Sequence, residues 1–169
     1  MTVAPACGAG CPTRLTRVDD ERRLFELLGE VKQLAREYRD LTGRPLGVTG
    51  ELAEYEAVRL LGLEVAAVRQ AGYDAIRNTP NGKQRLQIKG RCILPGSQPG
   101  QRVGSIKLDQ EWDAVLLVLL NERFDATSIY EASRPAVEAA LVAPGSKARN
   151  ERGALAVSQF KSIGRSIWP

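Results

Sequence analysis

Apolar and polar positions follow a helical period in the first third of the chain and a strand period in its middle. Residues 19–42 predict an amphipathic helix, because acidic side chains occupy the first turn, apolar ones recur every three or four positions, and Gly43 follows. Residues 1–18 are predicted to be a flexible tail. Two heptad positions of the helix are apolar, with Leu24, Val31 and Tyr38 at one and Leu27, Leu34 and Leu41 at the other.

This heptad stripe has two interpretations. It is typical of a homodimer seam formed by residues 19–42. The stripe also fits packing of the helix on its own domain. Three further apolar residues widen the stripe into the broad apolar face that such packing requires: Phe25, Leu28 and Ala35. The pattern alone leaves both possibilities open.

A second helix is predicted between Thr49, as its N-cap, and Gly62, as its C-terminal stop. On a helical wheel Glu54 lies inside the apolar arc, Glu51 lies at its edge and Glu56 lies on the solvent side. The arc itself consists of Ala53, Ala57, Leu60 and Leu61. A carboxylate that faces a core needs a metal, a lysine or a salt bridge, because burying a lone charge is costly. Glu54 is therefore favoured over Glu51 as a functional acid.

The rest of the chain predicts a sheet followed by helices. Strands are expected at residues 65–69, 72–76, 86–89, 114–120 and 128–131, with a turn at residues 78–82 (NTPNG). The strand at residues 114–120 is apolar on both faces and should therefore be central. Helices are expected at residues 135–142 and about 150–163, the last with Leu155, Phe160 and Ile163 as core contacts. The order predicts an α/β fold with a mixed β-sheet flanked by helices.

Asp74, Gln87 and Lys89 fall on two neighbouring strands of this predicted meander. Alternation places Gln87 and Lys89 on one face of their strand and Leu86 and Ile88 on the other. An acid and an amide oxygen can hold a hard divalent cation, and a lysine beside them can neutralise a phosphate or orient a water. A second acid would come from the preceding helix, at Glu54 or at the alternative Glu51.

This helix–strand–strand order resembles the PD-(D/E)XK nuclease superfamily over roughly residues 50–91. The helix of Gly50 and Glu54 ahead of the Asp74 strand is similar to Holliday-junction resolvases, and Gln87-x-Lys89 is similar to Mrr-type restriction endonucleases. The resemblance implies a restriction-endonuclease-like domain over residues 44–169, with residues 19–43 as an N-terminal helical appendage. It implies that Glu54, Asp74 and Gln87 bind Mg²⁺ or Mn²⁺ and that Lys89 completes the catalytic set.

Composition narrows the chemistry that is available. The chain contains no histidine, which excludes Ser-His-Asp, Cys-His and histidine-based nuclease schemes. Its three cysteines give no disulfide framework, and Cys7 and Cys11 are expected to be reduced residues of the tail rather than zinc ligands. No apolar run approaches a membrane span, and the N-terminus lacks the pattern of a signal peptide, so a cytoplasmic protein is expected.

The net charge of +4 is concentrated at the C-terminal end. Residues 144–169 hold five basic residues and one acidic residue. The rest of the chain therefore carries equal numbers of basic and acidic residues. Such a localised basic surface is typical of phosphate binding, although a solvated helix end has the same composition. The residues predicted to contact DNA are Arg91, Lys147, Arg149, Arg152, Lys161 and Arg165.

The leading hypothesis is a metal-dependent DNA endonuclease. The first alternative is an inactive module on the same fold that binds nucleic acid or assembles with a partner, in which Asp74 and Lys89 form a structural salt bridge. The second is a protein–protein adaptor or inhibitor. The neutral Gln87, in place of the superfamily's usual acid, is the residue on which retained catalysis depends.

Overall fold

A run of seven apolar residues forms the centre of the fold. All seven residues of strand β4 (Ala114–Leu120) are buried, as predicted for a central strand. The strand is parallel to β3 (Gly82–Cys92) on one side and antiparallel to β5 (Ala126–Ser133) on the other. This computed structural model describes residues 17–67, 71–97, 100–145 and 151–169.

The strands of the described residues form one open six-stranded sheet in chain order. Strand β1 (Glu64–Val65), β2 (Ala75–Thr79) and β3 make an antiparallel meander, and β6 (Arg165–Trp168) adds to β5. Only β3 and β4 are parallel among these strands, so the sheet is mixed. A parallel pair requires a long crossover, which residues 93–113 provide. The order of the predicted meander and its turn are confirmed, but its first two strands are Glu64–Val65 and Ala75–Thr79 rather than residues 65–69 and 72–76. Strand β6 was not predicted.

Helices cover both faces of this sheet, which confirms the predicted α/β class. One face is covered by α1 (Arg17–Thr42) and α2 (Thr49–Leu61), which pack over Leu86, Ile88 and Leu116. The other face lies under α3 (Arg134–Val142) and α4 (Val157–Ile163), which pack over Val115 and Leu117. Period-two alternation along β4 thus divides the core into two layers. None of the described helices has the length and apolar content that crossing a bilayer requires.

Two helix boundaries differ from the prediction. Thr49 is the first residue of α2 rather than its N-cap. The N-cap is Val48, which makes no side-chain capping hydrogen bond. Gly62 ends the helix with φ 61°, as expected. The predicted last helix is shorter, because Gly153 has φ 61° and the Leu155 carbonyl accepts a hydrogen bond from the Val103 amide at 2.8 Å. Pairing with residues 101–106 therefore replaces helical bonds there. Leu155 and Phe160 are nevertheless buried, as predicted.

Glu56 is buried, so its predicted position on the solvent side of α2 is wrong. Only 1% of it is exposed, and its carboxylate accepts hydrogen bonds from Lys32 Nζ at 2.6 Å and from Arg59 at 2.8 Å. Helix α1 packs against this side of α2 and supplies the lysine that makes burial of the charge possible. The buried face of α2 consequently includes Leu52 and Val58, while the predicted Leu60 and Leu61 are only partly buried.

Helix α1 packs on its own domain and still presents an apolar stripe. Ala35 is fully buried, and Phe25 and Val31 pack against the core. The other heptad positions are exposed: Leu24, Leu27, Leu34, Tyr38 and Leu41. Both interpretations of the pattern therefore remain compatible with the fold, because own-domain packing uses one side of the helix and leaves the heptad side open. The predicted tail lies outside the described residues, apart from its last two, which begin α1.

Candidate active site

Asp74 is held against strand β3 by two hydrogen bonds. It lies one residue before β2, rather than within a strand as predicted. Its backbone amide donates to the Leu86 carbonyl at 2.8 Å, and its carboxylate accepts from the Ile88 amide at 2.6 Å. Since these partners flank Gln87, the local backbone fixes the Asp74 carboxylate beside the Gln87–Lys89 segment. The proximity of Asp74 to the Gln-x-Lys motif follows directly from the meander register.

Gln87 is buried with half of its amide unpaired. Only 6% of the residue is exposed, and its Nε2 donates to the Gly72 carbonyl at 3.2 Å. Its Oε1 is buried and has no hydrogen-bond partner. An unpaired buried acceptor costs about 1–3 kcal/mol. The fold therefore holds an amide oxygen in a position where a donor or a cation would stabilise it.

Glu54 faces the same region from helix α2. Burial, together with the nearby charges of Asp74 and Glu51, raises the pKa of Glu54 to about 7, against an opposing effect of Lys89. Burial also raises the pKa of Asp74. Two desolvated carboxylates within electrostatic reach of each other repel when both are ionised, so a bound cation would stabilise the pair. Glu51 is exposed, which favours Glu54 as the acid of this helix, as the helical wheel indicated.

Lys89 is the cationic member of this group. Burial lowers the pKa of its ammonium, while Asp74 and Glu54 oppose that shift, and the cations Arg91 and Lys107 add to it. Its side chain runs past Gly104, where an added Cβ would lie 3.5 Å from Lys89 Cδ. Lys89 is thus partly desolvated, close to both acids and bordered by the loop of residues 100–106.

The donor set fits a hard cation with few protein ligands. Within the described residues no three His, Cys, Asp or Glu side chains form a metal-holding group. Glu54 and Asp74 supply two carboxylates, and Gln87 Oε1 supplies a neutral oxygen that is otherwise unpaired. Mg²⁺ is commonly held by one or two carboxylates together with waters and substrate phosphates. By donor type, these residues suit Mg²⁺ or Mn²⁺ better than a metal that requires a full protein cage.

Two of the three guanidinium nitrogens of Arg91 donate to backbone carbonyls of the chain. Its Nε donates to the Arg102 carbonyl and its Nη1 donates to the Gly90 carbonyl at 2.8 Å. Arg102 in turn donates to the Ala154 carbonyl at 2.9 Å, and residues 101–106 pair with residues 153–157. Residues 101–106 are thus held between β3 and the C-terminal segment, and Arg91 Nε takes part in this contact.

The other predicted DNA contacts that the structure describes, Arg152, Lys161 and Arg165, each contact different parts of the chain. Arg152 is exposed near Lys107, and both line a surface cavity of about 530 Å³. Lys161 lies over the Tyr130 ring, with its Nζ 4.8 Å from the ring centroid, and the exposed Arg165 lies 3.6 Å from a Glu131 oxygen. Lys147 and Arg149 fall outside the described residues.

Sequence reasoning missed three residues of this region. Lys107 adds a cation close to Lys89, Gly72 accepts the Gln87 hydrogen bond, and Gly104 leaves room for the Lys89 side chain. Gly72 also has φ 101°, and a Cβ there would lie 2.6 Å from the Glu111 carbonyl oxygen, so only glycine fits. No local pattern distinguishes these residues from ordinary loop residues.

Comparisons with known proteins add no assignment to this geometry. No protein-family model matches the sequence, and no curated protein matches it significantly. What the site can do must therefore be argued from its own residues.

Proposed function

We propose that this protein is a metal-dependent nuclease of the PD-(D/E)XK type that hydrolyses phosphodiester bonds in DNA. The observation that carries the proposal is the buried, unpaired Oε1 of Gln87, the residue before Ile88, whose backbone amide holds the Asp74 carboxylate at 2.6 Å. The chain order, with Glu54 on α2, Asp74 just before β2 and Gln87 with Lys89 on β3, supports the restriction-endonuclease-like assignment of the α/β fold.

Each residue has a distinct role in this proposal. Glu54, Asp74 and Gln87 would hold the cation through their side-chain oxygens. When bound, the cation would supply an activated water and would neutralise charge on the phosphate. Lys89 donates to a non-bridging phosphate oxygen as negative charge develops, and its partial burial strengthens that interaction because the local dielectric is low.

Metal binding and cleavage test the proposal together. Titration calorimetry with Mn²⁺ should give heat with the wild type and little with Asp74→Asn, which keeps an oxygen for the Ile88 amide. Asp40→Asn is the matched control, because Asp40 is an exposed acid on α1. Cleavage of single-stranded DNA and nicking of plasmid DNA in Mg²⁺ or Mn²⁺ should follow the same order. Equal heats from wild type and Asp74→Asn would remove Asp74 from any metal role.

An inactive binding module is the second candidate function, and one observation favours it. The described part of the chain has two acids at the site and no group of three metal-binding side chains. A neutral amide binds Mg²⁺ more weakly than a carboxylate, so on this candidate function the site binds the cation too weakly for catalysis. DNA binding without cleavage at any Mg²⁺ or Mn²⁺ concentration would decide for this candidate.

We also propose that two copies of the chain pair through α1. The exposed side chains of Leu27, Leu34 and Leu41 follow heptad spacing on the side of α1 that faces away from its own core. Leu41 is 87% exposed and Leu34 is 60% exposed, which is unusual for isolated leucines on one helix face. Pairing would remove this apolar surface from water and give an assembly with two sites.

A further inference from the structure

An apolar cavity opens beside the acids of the candidate active site. Its volume is about 170 Å³, and it lies between α1 and α2. Glu51, Glu54 and Asp74 form its polar end. The remaining lining is apolar or aromatic and consists of Leu24, Phe25, Leu28, Tyr55, Val58 and Val65. The cavity therefore joins an apolar chamber to the proposed metal and phosphate site.

Two aromatic rings, tilted against each other, line this cavity. The ring centroids of Phe25 and Tyr55 lie 5.6 Å apart with an interplanar angle of 49°. Phe25 comes from α1 and Tyr55 from α2, one residue after Glu54. The spacing is that of an interacting aromatic pair, which fixes the orientation of both rings. A flat, apolar ligand entering the cavity would meet these rings and the leucines of α1.

The size of the cavity selects a single ring system. An apolar cavity of about 150 Å³ is large enough to hold a benzene ring, whereas pockets for drug-sized ligands begin at about 300 Å³. The 170 Å³ between α1 and α2 thus suits one base. It is too small for a complete nucleotide or a base pair, so any sugar and phosphate would remain outside, on the side of the acids.

We propose that this cavity receives one unpaired base of the DNA next to the phosphate that lies at Asp74 and Lys89. This inference rests on the proposed nuclease function and names its substrate class. A base in an intact duplex is stacked on both faces and cannot enter a closed cavity without being extruded. Single-stranded DNA, or a duplex with unpaired ends, presents such a base at little cost, and stacking on aromatic rings is tolerant of sequence.

Helix α1 supplies one wall of the cavity in this proposal. Leu24, Phe25 and Leu28 all lie on α1 and form one wall of the cavity. The buried ion pair between Lys32 and Glu56, one turn further along, fixes α1 against α2 at a separation that leaves the cavity open. The N-terminal helix thereby defines which DNA is accepted, in addition to any role in pairing two chains.

Binding experiments on Lys89→Ala protein separate recognition from cleavage. Fluorescence anisotropy with a short labelled oligonucleotide in Mg²⁺ should show single-stranded DNA bound about tenfold or more tightly than the blunt duplex. Phe25→Leu and Tyr55→Leu should each weaken single-strand binding about fivefold or more, since aromatic stacking on a base is lost. Both should leave duplex binding unchanged. A 2-aminopurine base in the single strand should change its fluorescence on binding, and this change should disappear in the same variants.

Tyr38→Leu is the matched control, because Tyr38 is an aromatic residue of α1 that does not line the cavity. It should leave all three readouts unchanged. Leu28→Phe fills the cavity instead of emptying it, so it should remove the preference for single strands without unfolding α1. Thermal unfolding of each variant identifies any loss of structure.

The outcomes are distinguishable from those of the nuclease test. If wild type cuts plasmid DNA but binds single strands and duplex equally, with no effect of Leu28→Phe, the base cavity is refuted and the nuclease stands. If single strands bind in a ring-dependent manner but no DNA is cut, the cavity stands and the nuclease fails. If no DNA is bound or cut, both are refuted.

Discussion

Replacing Glu54 by glutamine should stabilise the metal-free protein at alkaline pH. Burial and the charge of Asp74 raise the pKa of Glu54 from 4.5 to about 7, so the ionised carboxylate is less stable in the folded chain than in the unfolded one. Glutamine keeps the shape of the protonated acid and carries no charge. The substitution therefore removes a cost that the wild type bears whenever Glu54 is ionised and no cation is bound.

The sign and size follow from proton linkage. Between pH 4.5 and about 7 the folded state retains a proton that the unfolded state has lost, so wild-type stability falls as pH rises through this interval. The full difference corresponds to about 3 kcal/mol, and partial solvent exposure of Glu54 reduces it to about 1–2 kcal/mol. Glu54→Gln should thus exceed wild type by about 1–2 kcal/mol at pH 8, or by about 2–8 °C in Tm, and should match it near pH 4.5.

Urea unfolding in EDTA, followed by the fluorescence of the fully buried Trp112, measures this difference at pH 5 and pH 8. Glu37→Gln, which alters an exposed glutamate of α1, is the control and should show no pH-dependent gain. Adding Mn²⁺ at pH 8 should reverse the order, because the wild type gains a ligand that Glu54→Gln binds more weakly. The reasoning is refuted if the stability difference between Glu54→Gln and wild type is the same at both pH values.

Three further predictions concern catalysis, affinity and assembly. Lys89→Ala should reduce plasmid cleavage by at least about 100-fold. It should leave the salt dependence of DNA binding nearly unchanged, since Lys89 acts on one phosphate. A parallel loss of DNA binding would contradict this role. Lys107→Ala combined with Arg152→Ala should flatten the plot of log affinity against log salt by about two units, measured by anisotropy at several salt concentrations, and an unchanged slope would exclude both as phosphate contacts. Leu27→Glu combined with Leu34→Glu should convert a dimer into a monomer in light scattering, because both side chains are exposed on α1. A wild type that is already monomeric at tens of micromolar would refute pairing through α1.

Local patterns were sufficient to predict much of the sheet. Seven consecutive apolar residues can only be stable between two covered faces, so the central position of β4 followed from composition alone. The turn between β2 and β3 followed from its Pro-Asn-Gly residues, and the turn sets the register that brings Asp74 to β3. The candidate set of Asp74, Gln87 and Lys89 was therefore accessible from spacing, because strand pairing converts sequence separation into proximity.

Tertiary contacts decided the features that depend on residues distant in sequence. Glu56 is buried because Lys32, 24 positions earlier, donates to it at 2.6 Å, and no periodicity of α2 contains that information. The last predicted helix is interrupted because residues 153–157 exchange helical bonds for pairing with residues 101–106. The hydrogen bond between Gln87 and Gly72 could not be predicted either, since it forms between a loop and a strand.

The sequence by itself determined which segments are helices or strands in the first two thirds of the chain, together with the residue types available for chemistry. These properties arise from periodicity and turn composition, which act over a few neighbouring residues. The tertiary structure alone decided which charges are buried, that one amide oxygen of Gln87 is left unpaired, and that α1 leaves a cavity beside Glu54. Burial, electrostatic reach and empty volume depend on how separate elements pack, so they have no counterpart in any single stretch of sequence.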